Sequence, residues 1–94
     1  MDDRVYVGAE DVEITVNMNA DISTATVFEM HVYRDGTEVT WASFIYNDRY
    51  LRYVTAAGEL DIAAEYYIQG YFELPSGFKG WSRTVSFTVH PRWR

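Results

Sequence analysis

Few side chains in this sequence could do covalent chemistry. Its 94 residues include two histidines, His31 and His90, and no cysteine. A thiolate nucleophile, a disulfide framework and a thiolate metal site are therefore all excluded. No serine stands in a recognisable nucleophile setting. Carboxylates adjoin at Asp2-Asp3 and Glu10-Asp11, but acid–base work needs convergent groups whose surroundings push their pKa values apart. Exposed neighbours near the N-terminus offer no such pocket. A calcium loop of the Asp-x-Asp-x-Asp-Gly kind is missing, as is a histidine pair at ligand spacing. The 14 acidic residues read as a solvated face that keeps a small domain soluble; only a calcium site built from separated loops stays open. The expectation is a protein that is not an enzyme and carries no cofactor.

What remains is aromatic: eight Tyr, five Phe and three Trp. Tyr33, Tyr67 and Tyr71 share outward parity on strands that can be neighbours. They suit a cross-strand ladder that stiffens a sheet, and equally a contact surface, since Tyr and Trp are enriched where partners dock. Phe78 and Trp81 flank Lys79-Gly80 and read as a lid folded over one end of the domain or as an exposed anchor. The lid is favoured, because a bare hydrophobic loop is a liability on a soluble protein. After Pro91 the chain ends in Arg92-Trp93-Arg94, basic and aromatic, and a further interface candidate.

Positioning these residues falls to β-strands. Glu65 to Leu74 alternates strictly, with Tyr66, Ile68, Gly70, Phe72 and Leu74 on one face and Glu65, Tyr67, Gln69, Tyr71 and Glu73 on the other. A period of two marks a long, half-buried central strand. Val12, Ile14, Val16 and Met18 form the apolar side of another strand. Thr26 to Arg34 buries Phe28, Met30 and Val32 and turns Glu29, His31 and Tyr33 outward. Asp35-Gly36 is a hairpin signal, since Gly accepts positive φ, and it leads into a strand over Glu38 to Tyr46. There the alternation slips at Ala42-Ser43, which predicts a bulge or simple two-sided burial. Arg49 to Thr55 offers Leu51 and Tyr53 to the core. Arg83 to His90 points Val85, Phe87 and Val89 inward. Residues 1–8 form an arm or a short edge strand ending at Gly8, and 91–94 a tail. About seven short strands with turns every 8–12 residues predict an antiparallel β-sandwich in one domain, 1–94.

The formal charge is −6, which argues against a nucleic-acid partner, because phosphate binding needs a cationic surface. No stretch approaches the 18 apolar residues of a membrane span, and the start lacks a signal-peptide pattern. The expectation is a soluble chain made in the cytoplasm, with no membrane partner. Acidic residues concentrate toward the N-terminus, while Arg83, His90, Arg92 and Arg94 gather at the other end. That polarity suits head-to-tail contact between copies, weakened by salt.

Several segments carry a resemblance. Asp21-Ile22-Ser23-Thr24-Ala25-Thr26 resembles the Asp-Leu-Thr/Ser-x-Ala-Thr segment ahead of the second long strand in small Ig-like domains of tailed-phage virion proteins. The nearest group is the N-terminal domain of phage baseplate upper proteins. Asp35 to Trp41 looks like their hairpin, and Gly58 to Asp61 with Tyr66 to Tyr71 like their turn and Gly-x-Tyr strand. Thr84 to Val89 is similar as well. The resemblance implies an Ig-like β-sandwich acting as a structural component of the virion, made in the host bacterial cytoplasm. Its place would be the tail or baseplate, the neck, or the capsid as decoration. Its partners would be other virion proteins and copies of itself. The alternative is a module for carbohydrate or a host surface, with Trp81 or Tyr71 stacked on sugar rings.

Overall fold

A computed structural model describes residues 5–92. The described residues contain nine strands and no helix: β1 (Val5–Tyr6), β2 (Glu13–Asn17), β3 (Val27–Arg34), β4 (Thr37–Trp41), β5 (Phe44–Tyr46), β6 (Tyr50–Val54), β7 (Ala64–Glu73), β8 (Lys79–Trp81) and β9 (Val85–His90). They make two layers. One is a six-stranded sheet in the order β1-β9-β7-β3-β4, with β8 also on β7; the other has the order β2-β6-β5. Pairing is antiparallel throughout except for β1, which lies parallel to β9.

The hub is β7. One of its edges carries β3 over seven register positions, from Val27↔Glu73 to Tyr33↔Tyr67. Its other edge is shared: β9 pairs with the first half and β8 with the second. Ser82 joins them. Its amide donates to the Gly70 carbonyl at 2.9 Å, and its buried hydroxyl accepts from the Gly70 amide at 2.8 Å while donating to the Arg83 carbonyl. The ladder therefore continues across the break through a side chain. The segment read as loop or edge, Phe78 to Trp81, thus supplies a strand.

Alternation sets the core. Met30 and Val32 of β3, Tyr66, Ile68 and Phe72 of β7 and Val89 of β9 are buried against Ile14 and Val16 of β2 and Leu51 of β6. Gly70 belongs to the same inner row. A Cβ there would lie 2.5 Å from Met18 Sδ and 3.2 Å from Leu51 Cδ1, so glycine lets the two layers close at this point. The Asp35-Gly36 turn joins β3 to β4, both residues taking positive φ (48° and 78°) as a two-residue hairpin turn requires.

Over the connection from β6 to β7, Leu60 is fully buried. Glu59 holds the turn, accepting from the Ala56 amide and the Tyr53 hydroxyl. Burial, then the Glu59 carboxylate, pushes the Tyr53 phenol up to about 12. At the start of β7 the Tyr66 hydroxyl donates to the Ile62 carbonyl at 3.1 Å.

Three expectations are corrected. The described residues hold nine strands rather than about seven, because Glu38 to Tyr46 divides in two and Lys79–Trp81 adds β8. Glu38 to Tyr46 is not one strand with a bulge: the chain leaves the larger sheet after Trp41 and enters the smaller one at Phe44. Ile45 faces the core, and Phe44 and Tyr46 face out. At the crossing the Ser43 hydroxyl is buried without a hydrogen-bond partner among the described residues. Nor do the first and last described strands lie at opposite poles. Val5 pairs with Val89 and Tyr6 with His90, so the N-terminal segment and the end of β9 share one sheet edge. The region 1–8 contributes the short edge strand β1, with residues 1–4 outside the described residues.

Candidate functional site

Register on β3, β7 and β8 assembles the aromatic residues on the outer face of the larger sheet. Tyr33 sits directly opposite Tyr67, their rings 6.5 Å apart. Tyr71 sits opposite Trp81, at 4.6 Å between rings. One row lies between these pairs, Thr40, His31 and Gln69. Tyr33, Tyr67 and Trp81 remain 49%, 45% and 54% exposed.

His31 is the centre of the patch. Its Nδ1 lies 3.1 Å from a Glu38 oxygen and its Nε2 3.0 Å from a Glu29 oxygen, so both ring nitrogens are taken up by carboxylates. An imidazolium donates to both at once, whereas a neutral ring donates to one. The ring also packs 5.1 Å from Trp81 and edge-on to Tyr71 at 6.3 Å. The Tyr71 hydroxyl donates to Glu73 at 2.6 Å; that bond, then burial, pushes its pKa up to about 12. Tyr71 is therefore a fixed donor to its own sheet, while Tyr33, Tyr67 and Trp81 present free ring surface. Gln69 is anchored by donating to the Ser82 carbonyl. Between these residues lies a cleft of about 330 Å³, lined by His31, Tyr33, Glu38, Tyr67, Gln69, Trp81 and Thr84 together with Ile68.

The sequence-derived candidates thus divide. Tyr33, Tyr67, Tyr71 and Trp81 come together. Phe78 does not: it packs at 5.8 Å on the buried Phe72 at one end of the sandwich and stays 58% exposed. The lid reading holds in part for Phe78, which covers Phe72, and fails for Trp81, which faces outward. Arg92 lies beyond β9, lining a different cleft with Val5 to Ala9. That is toward the opposite end of β7 from Trp81, because β9 pairs with Ala64 to Ile68 and β8 with Tyr71 to Glu73. Trp93 lies outside the described residues.

Sequence reasoning missed Glu29, His31, Glu38, Gln69 and Thr84 as members of the site. The usable signal was the spacing Glu29, His31, Tyr33, three outward positions of one strand. Among the described residues no cluster of three or more His, Cys, Asp or Glu is arranged to hold a metal ion, and no helix is long and apolar enough to cross a membrane.

Fold and site together define a small all-β domain with an aromatic, acidic face on its larger sheet. Comparison with protein-family models, with curated proteins and with solved structures gives no match.

Proposed function

We propose that the chain is an immunoglobulin-like β-sandwich serving as a non-enzymatic docking domain of a tailed-phage particle, its contact surface the outer face of the larger sheet. The observation that carries the docking reading is the gathering of Tyr33, Tyr67 and Trp81, all about half exposed, around one cleft. Interface centres are enriched in these residue types. A non-catalytic reading is supported by His31, whose two nitrogens are both engaged by carboxylates.

Two features support the immunoglobulin-like part. The order β2-β6-β5 against β9-β7-β3-β4 follows the B-E-D and G-F-C-C′ pattern of that architecture. The bond from the Tyr66 hydroxyl to the Ile62 carbonyl repeats the tyrosine corner at the start of strand F. Ile68, two residues on and fully buried, stands where antibody domains place a cysteine. The virion setting, with other virion proteins and copies of the chain as partners, rests on the resemblance of Asp21–Thr26, Asp35–Trp41 and Tyr66–Tyr71.

Carbohydrate or a host surface is the second reading, favoured by one observation: the half-exposed Trp81 borders a cleft that also offers Gln69, Glu38 and Thr84 as hydrogen-bonding groups. Mass spectrometry of purified particles from the producing culture, beside a glycan screen of the isolated domain, separates the two. Stoichiometric presence in particles without glycan binding is expected. Absence from particles with selective binding of one glycan class would reverse the order.

A further inference from the structure

The smaller sheet shows how this protein holds a guanidinium. Arg52 lies 3.6 Å over the Tyr46 ring, donates to Thr15 Oγ1 at 3.0 Å and approaches Glu13 at 3.9 Å. Aromatic face, hydroxyl and carboxylate are the three contacts that suit a planar, weakly hydrated cation. The cleft on the larger sheet is lined by the same kinds of group, with Trp81, Tyr33 and Tyr67 as rings, Thr84 as hydroxyl and Glu38 as carboxylate, and His31 touches both Glu38 and Trp81. No lysine or arginine is among the residues lining it. The Glu38 side chain is 63% exposed, and only one of its oxygens is bonded to His31.

We infer that this cleft receives an arginine side chain from a basic segment of a partner protein, the guanidinium lying on Trp81 and paired with Glu38. The inference rests on the docking reading above and names the partner's chemistry. Charge selects the occupant. The chain carries a formal charge of −6, so this cleft attracts a basic partner more than it attracts a second copy of the chain. An arginine is preferred to a lysine because a planar, weakly hydrated guanidinium can stack on a ring while one of its N–H groups donates to the Glu38 oxygen that His31 leaves open.

The test uses three blocked peptides, Gly-Arg-Gly, Gly-Lys-Gly and Gly-citrulline-Gly, titrated into the intact chain and followed by amide and indole chemical shifts. The arginine peptide should move Trp81, Tyr67 and Gln69 selectively, and lysine should bind more weakly. Citrulline, isosteric and neutral, should lose about tenfold or more. Glu38→Gln should weaken the arginine peptide about fivefold, and raising salt from about 0.05 M to about 0.5 M should weaken it further. Trp81→Ala should abolish the effect, with a thermal melt verifying its fold and Glu38→Gln as the isosteric companion.

Equal binding of citrulline, shifts confined to other surfaces, or binding of an oligosaccharide in place of arginine would each overturn the inference. Particle incorporation separates it from the docking reading. Loss with the Tyr67→Ser, Tyr71→Ser pair but no reduction at all with Glu38→Gln, measured in competition with the parent chain, overturns the guanidinium and keeps the docking face; no reduction with either overturns both.

Discussion

Replacing Tyr66 by Phe isolates one hydrogen bond at the entrance to the central strand. The ring is fully buried, stacked on Phe87 at 5.4 Å and approached by the Arg34 guanidinium at 5.9 Å. Phe retains those contacts and removes only the donor to the Ile62 carbonyl. A buried hydrogen bond contributes about 0.5–1.5 kcal/mol net, and an acceptor left unpaired adds to the loss. The total should be about 1–2 kcal/mol. For a domain of this size that lowers Tm by roughly 4–16 °C. Urea unfolding followed by tryptophan fluorescence should show a lower midpoint at unchanged slope. Tyr33→Phe, with its ring half exposed, is the control and should stay within about 0.5 kcal/mol of the parent. Equal stability of Tyr66→Phe and the parent would refute the corner as a fixed point of the fold.

Other perturbations test the remaining layers. Ile68→Asp puts a carboxylate at a fully buried inner position and should cost on the order of 5 kcal/mol, comparable with the whole stability of such a domain; an unchanged melt would mean that the faces of β7 are reversed. Ser43→Ala removes a buried hydroxyl that has no partner among the described residues and should be neutral or stabilising by up to about 1 kcal/mol in urea unfolding. Alkaline pH should destabilise. Tyr53 and Tyr71 have folded pKa values of about 12 against an ordinary 10.0. The folded state therefore holds protons that the unfolded state releases, and the stabilisation present below the unfolded value is lost as pH rises toward 12. Melting temperatures measured across that window should fall, and Tyr53→Phe with Tyr71→Phe should flatten the slope.

Much of the fold was legible because one face of each long strand is buried. Alternation assigned the inner rows of β2, β3 and β7, and Asp35-Gly36 announced its hairpin; on β9 it held for Val89 and in part for Phe87, whereas Val85, opposite Ile68, is 39% exposed. What failed has a common cause: parity reports which way a side chain points and is silent on where the backbone hydrogen bonds go. A bulge and a change of sheet both shift the phase by one, so the slip at Ala42-Ser43 fitted either. The parallel pairing of β1 on β9 was hidden for the same reason, and with it the nearness of the first and last strands. At the site, Tyr33, Tyr67 and Tyr71 were found from parity alone. His31 was placed on the outer face but not joined to Glu38, because that contact depends on hairpin register, which the outward pattern of β3 alone does not give. Trp81 became part of the face only through β8, whose three residues are too short to show a period.

Incorporation of the Tyr67→Ser, Tyr71→Ser double variant into particles tests the docking face most directly. Both residues are on the outer row of β7, and the change removes one cross-strand ring pair with Tyr33 and another with Trp81. The isolated domain should lose about 1–2 kcal/mol and remain folded. Its band in purified particles should disappear, since a permanent contact of about 1,000 Å² or more depends on a few aromatic anchors. A folded double variant incorporated at the parent's level would contradict the account and leave these tyrosines as a ladder within the sheet.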